Sequence, residues 1–251
     1  MVARQVQATD PNVLEDLATV RLGTAFFRRA LNLVPDDQFR SPTLLPEWTR
    51  SHLVAHVGYN ARAIARLVTW AATGEENPMY SSPQARGEEI DQGASQRPQA
   101  LRSLCEHAAI DLDVRWRDLP DANWGATVVT AQGRHVPVSE TLWMRSREVW
   151  LHAVDLDVGA HMSEIPESVL TRLLTDVVTM WEKRDQIGDL ALCVDTGSEP
   201  LRFGDVSGPG TVVSGRLSSI VEWATGRTRD PAQAALTWGS GGSPQAAPRW
   251  L

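Results

Sequence analysis

Apolar side chains recur every three or four residues over much of the first 160 positions, the spacing of helices that each bury one face. Val13, Leu14, Leu17, Val20, Phe27, Leu31 and Val34 mark the first helix, started by Asp10 or Asn12 as cap and stopped by Pro35. A second runs from Thr49, a natural N-cap with Trp48 before it, to about Thr73, where Gly74 ends it. The polar stretch 77–98, punctuated by proline and glycine, reads as a loop leading into a short helix. Leu101, Leu104, Cys105, Ala108, Leu112 and Trp116 then mark a third long helix from Pro98 to Leu119. Residues 126–130 and 135–138 flank Gln132-Gly133-Arg134 and predict a small hairpin. Ser139 caps the fourth helix, which carries Arg147-Glu148-Val149-Trp150-Leu151-His152-Ala153-Val154-Asp155-Leu156-Asp157.

Beyond Gly159 the pattern changes. One helix is expected from Ser163 or Pro166 through Trp181, and another from Gly215 to Thr225. Short apolar runs at 190–196, 201–203, 211–214 and 236–238 read as strands. The fold class is therefore α+β, with a four-helix bundle over 1–160 and a smaller mixed domain over 161–251. The Gly/Ser/Pro/Ala-rich end, from Gly239 to Leu251, is expected to be loosely ordered.

Composition narrows the function classes. No apolar run approaches the ~18 residues of a membrane span, and the N-terminal segment lacks the apolar core of a signal peptide. Two cysteines far apart in sequence, Cys105 and Cys193, point to a reduced, cytoplasmic protein with structural thiols. A net charge of −7 argues against nucleic acid as partner. Nothing in the chain fixes an oligomeric state. Lys183 is the sole lysine among 24 basic residues, a bias typical of GC-rich genomes.

Glu148 and His152 are four residues apart and therefore lie on one helix face. Such a pair alone is more often an ordinary helix-face contact than a site. The second helix also carries two histidines four apart, His52 and His56. His56, deeper in the helix and flanked by Ala55 and Val57, is the better ligand, and His52 is the spare. Two imidazoles and a carboxylate from facing helices suit a divalent transition metal, zinc or non-haem iron, with a position left open for water or substrate. Arg86 is a candidate anion clamp. The chain shows no phosphate-binding glycine loop, serine nucleophile elbow or paired-cysteine zinc motif.

Leu45-Pro46-Glu47-Trp48-Thr49 with His56, together with Glu148-x-x-x-His152-x-x-Asp155-Leu156, resembles the metal-binding four-helix bundle of the DinB-like superfamily. More closely, the chain is similar to the mycothiol-dependent maleylpyruvate isomerases of actinobacteria. Met79-Tyr80 with Arg86 and Ile90, and Trp223-Ala224-Thr225-Gly226-Arg227, extend the resemblance over nearly the whole length. It implies that His56, Glu148 and His152 bind a divalent metal, zinc above others. Asp155 corresponds to an acidic position that supports the metal site or touches the thiol cofactor. Arg227 corresponds to an arginine of the smaller domain that holds a substrate carboxylate, with Arg86 as a second candidate clamp.

The implied reaction is cis–trans isomerisation of maleylpyruvate to fumarylpyruvate in gentisate breakdown, with mycothiol as nucleophile. Thiolate addition removes the double bond, rotation follows, and elimination restores the alkene in the trans form. The implied partners are a small dicarboxylate and a small thiol. Two other readings share the same metal site: a mycothiol S-transferase acting on electrophiles, and a non-catalytic metal-binding regulator.

Overall fold

The computed structural model describes residues 5–197, 199–230, 234–239 and 243–250. Among these, seven helices and two small sheets divide between two compact units, Met1–Ala160 and His161–Leu251.

The first unit is built on four long helices: α1 (Pro11–Leu33), α2 (Arg50–Thr73), α4 (Pro98–Asp118) and α5 (Glu140–Asp155), with the short α3 (Ala85–Ala94) between α2 and α4. α2 packs along α4 and α1 along α5, while α2 also meets α5. Helix ends follow local chemistry. The Asp10 carboxylate accepts the Asn12 amide at the start of α1, and Gly74 at φ 78° closes α2, a left-handed conformation that favours glycine. Thr49 caps α2 with His52 as its reciprocal partner: the His52 Nδ1 lies 2.7 Å from the Thr49 hydroxyl and accepts from its backbone N–H at 3.4 Å. Ser139 occupies the cap position of α5 but makes no side-chain capping bond. Its backbone is already helical, and the Val138 carbonyl takes the Thr141 amide instead.

Two close approaches fix the site end. Arg50, buried at the start of α2, donates from Nε to the Leu156 carbonyl at 2.8 Å. Its Nη2 donates to the Asp157 carbonyl and its Nη1 to Gln38 Oε1, each at 2.9 Å. Gly93 seats α3 on α2, where a Cβ would come within 2.6 Å of the Tyr59 ring and 2.8 Å of Ala55 Cβ. The antiparallel hairpin of β1 (Thr127–Val129) and β2 (His135–Pro137) precedes α5, with Val128 opposite Val136 turned inward.

The second unit pairs α6 (Glu167–Lys183) and α7 (Leu217–Ala224) with a sheet ordered β4-β3-β5-β6. These strands are β3 (Ala191–Asp195), β4 (Leu201–Phe203), β5 (Val212–Arg216) and β6 (Leu236–Trp238). β3 and β5 run parallel, and the outer pairings are antiparallel. Its centre is a train of edge-to-face indoles, Trp181 to Trp223 at 5.9 Å and Trp223 to Trp238 at 5.7 Å.

Residues 240–242 and 251 of the end expected to be loose lie outside the described residues, but 243–250 are tied down. The indole N–H groups of Trp181, Trp223 and Trp250 donate to the carbonyls of Pro248, Gln245 and Thr225, and Trp250 is buried. Composition predicts mobility there because glycine and proline punctuate the segment. The tryptophans overrule it by needing acceptors for their buried donors.

Candidate metal centre

The C-terminal half of α5 is apolar on most sides, so Glu148 and His152 are carried into the bundle with it. Across from them α2 presents His56, which is 4 % exposed. Glu148 Oε2 is the meeting point: His56 Nε2 lies 2.6 Å away and His152 Nε2 3.1 Å away. One ligand atom from each of the three residues falls within 4.8 Å of the other two. The imidazole planes of His56 and His152 are crossed at 86° with centroids 5.1 Å apart, and Trp48 stands edge-on to His56 at 5.2 Å.

This donor set fits a divalent transition metal. A tetrahedral ion bonded at ~2.0–2.1 Å sets its ligand atoms roughly 3.3 Å apart, close to the spacing around Glu148 Oε2. Behind the histidine stands Asp155, fully buried, whose Oδ2 is 2.8 Å from His152 Nδ1. That bond fixes the Nδ1 proton and aims Nε2 at Glu148, the usual backing of a metal-bound histidine. The Glu148 side chain keeps 26 % of its surface, so the cluster is open on one side.

The protonation states are set by a contest between burial and charge. Burial works to raise Glu148, but the imidazoles of His56 and His152 overcome it and hold the carboxyl well below its ordinary range. For His56 burial wins and the pKa falls, although Glu148 pulls the other way. For His152 burial loses to the hydrogen bonds its ring donates to Asp155 and Glu148, and the value is pushed up to about 9. Without an ion, His152 therefore holds both ring protons and bridges two carboxylates.

Arg86, at the start of α3, reaches His56 Nδ1 with Nη2 at 3.4 Å. A guanidinium only donates, so this contact requires a bare Nδ1 and places the His56 proton on Nε2. Tyr80, partly buried, lies within electrostatic reach of Arg86 and Glu148. Burial raises its pKa, Arg86 opposes this, and the Glu148 charge adds to the rise. The loop carrying Tyr80 is held by Arg66, whose Nη1 donates to the Met79 carbonyl and whose Nη2 lies 3.7 Å from Glu89 Oε1.

The first unit thus brings His56, Glu148, His152, Asp155 and Arg86 together. His52 is occupied by its helix cap. Arg227 belongs to the second unit, where it is buried and donates from Nη1 to the Thr225 carbonyl at 2.7 Å. Trp48 and Tyr80 join the site without having been singled out for it. Helical periodicity is silent about loop residues, and the available signal was the pair of apolar residues, Met79-Tyr80, inside a polar stretch.

Residues 20–157 match the family described as the mycothiol maleylpyruvate isomerase N-terminal domain. A crystal structure of the mycothiol-dependent maleylpyruvate isomerase is 47% identical with a TM-score of 0.87, over 95% of this chain and 97% of that one. A crystal structure of a histidine-to-alanine mutant of the mycothiol-dependent maleylpyruvate isomerase is 46% identical, with the same TM-score and coverage. No curated protein matches the chain.

Proposed function

This chain belongs to the mycothiol maleylpyruvate isomerase family, and from that premise we propose that it isomerises maleylpyruvate to fumarylpyruvate with mycothiol as its thiol cofactor. The observation that carries the reading is the convergence of three ligand atoms within 4.8 Å, from facing helices of a family bundle. His56, Glu148 and His152 would hold one divalent ion; two nitrogens and an oxygen suit zinc or iron, and the family resemblance is what puts zinc first. Metal and thiol together supply a thiolate at neutral pH, the nucleophile that the cis double bond needs before it can turn.

The remaining work falls to the chain itself. Asp155 holds His152 in the tautomer that leaves Nε2 free. Were His56 to give Nε2 to an ion, its proton would sit on Nδ1, and Arg86, which only donates, would be free to take an anionic group of the substrate or thiol beside Tyr80. The family resemblance keeps Arg227, buried in the second unit, as a candidate for a substrate carboxylate. Both cysteines are unpaired, which supports a reducing, cytoplasmic setting.

The test couples metal analysis with an assay of maleylpyruvate, with and without mycothiol. One equivalent of zinc and trans product only with the thiol is the expected result. A stable thiol adduct without isomerisation would make the protein a transferase, and absence of any metal would end the assignment of the three ligands.

A further inference from the structure

A cavity of ≈ 400 Å³ opens between α1 and α4 inside the first unit, lined by residues of all four long helices and by none of the three proposed metal ligands. Its walls include the buried apolar side chains of Val20, Phe27, Leu112 and Trp116. The mouth is spanned by Arg21, whose Nε lies 2.6 Å from Asp113 Oδ1. Among these apolar groups stands Arg145 of α5, 2 % exposed. A guanidinium so deeply placed normally has a carboxylate against it. Arg145 has none among the described residues: its Nη1 donates to the Val57 carbonyl and to Asn60 Oδ1, each at 2.8 Å. Among the described residues the Nε–H and Nη2 donors meet no acceptor. Those two nitrogens form the edge of the guanidinium that takes a carboxylate through two parallel hydrogen bonds.

We propose that this cavity is a second ligand site, which takes a small apolar carboxylate. The acid group seats on the Nε/Nη2 edge of Arg145, and the hydrocarbon body lies against Val20, Phe27, Leu112 and Trp116. The volume suits a ligand of roughly the size that preformed pockets enclose. The charge suits an anion, because burial already weakens the hold of Arg145 on its proton, to about 10. The Cys105 thiol, also on the lining, is spent as a donor to the Val54 carbonyl and stays neutral, with burial raising it to about 12. The thiol therefore does not compete with Arg145 for the anion.

Benzoate is the probe and benzamide its neutral control, at constant ionic strength on the metal-loaded protein, read by melting temperature and calorimetry. Benzoate is expected to give a saturable upward shift, and benzamide a much smaller one. Arg145→Gln should weaken benzoate by about tenfold or more, the scale of one charge-assisted hydrogen bond. Ala109→Trp fills the cavity from α4 without touching the cation, should abolish the response, and carries the test if Arg145→Gln fails to fold. Stripping the metal should leave the benzoate response in place. No saturable response, or one that survives in Ala109→Trp, would overturn the proposal, and so would one that disappears with the metal, since the anion would then sit at the metal centre.

Discussion

Glu148 and Arg145 stand three residues apart on α5, both directed into the bundle, and their charges are met in opposite ways. Glu148 is held by two imidazoles, one of which is backed in turn by the buried Asp155. Arg145 is met on a single nitrogen by neutral acceptors and otherwise faces space. The contrast teaches that a buried charge advertises its ligand through what surrounds it. A carboxylate crowded by proton-bearing bases can exchange their protons for a cation. A guanidinium with unmet donors and apolar walls is shaped for an organic anion.

The sharpest way to break this comparison is to remove each charge separately. Glu148→Ala should lose the metal and lower turnover by more than the ~10–100-fold typical of losing an outer-shell partner, while keeping its response to benzoate. Arg145→Gln should do the reverse, retaining one equivalent of metal and losing the benzoate shift. If either variant loses both properties, the two layers are one site. Asp155→Asn tests the support behind Glu148's partner: metal affinity should fall by ~10–100-fold, followed by competition with a chelator, with the melting profile recorded alongside.

A smaller effect comes from pH. Below about 9 the His152 ring holds a proton on the nitrogen that the metal needs. Affinity should therefore rise by up to about tenfold per pH unit between 7 and 9 and then level off. Binding at pH 7 should release about one proton, seen as a dependence of the binding heat on the buffer's ionisation enthalpy. A flat profile would mean that His152 is not a ligand. Smallest of all is the change expected at Cys105. With its thiol raised to about 12 it carries almost no thiolate at pH 8, so a thiol reagent should leave it unmodified in the folded protein. Cys105→Ala should leave turnover within about twofold, the nucleophile being the cofactor's.

The helices were legible because their signals are local. Asp10, Thr49 and Gly74 mark ends, and apolar residues at helical spacing mark the inner faces, so α1, α2 and α4 fall within a residue or two of their expected limits. The i,i+4 spacing of Glu148 and His152 on α5 was equally readable. Spacing does not carry the register between helices; it was the apolar flanks Ala55 and Val57 that pointed to His56 rather than His52, and His56 is the one that stands opposite Glu148. His52 is diverted to the Thr49 cap by a three-residue reach that any first-turn histidine can make. Tyr80 reaches the site through a loop fixed by the Arg66–Met79 bond, and Arg145 looks from sequence like one more helix-surface arginine. Both depend on long-range packing. The end of the chain misled for the opposite reason, since its composition is local and its anchoring by Trp181, Trp223 and Trp250 is not.

Arg50 makes the proposed metal pocket a finished object before any ion reaches it. Two of its hydrogen bonds rivet the start of α2 to the segment that leaves α5, and the third ties it to Gln38. The two histidine-bearing helices therefore cannot slide by even the ~1.5 Å rise of one residue without breaking them. Capture of an ion then involves shedding water and protons rather than folding, and its speed is set by those steps. Release leaves the scaffold standing, so the amides of Leu44, Arg50 and Ser51, bonded to the carbonyls of Asp155, Ser41 and Phe39, should exchange with deuterium as slowly in the emptied protein as in the loaded one.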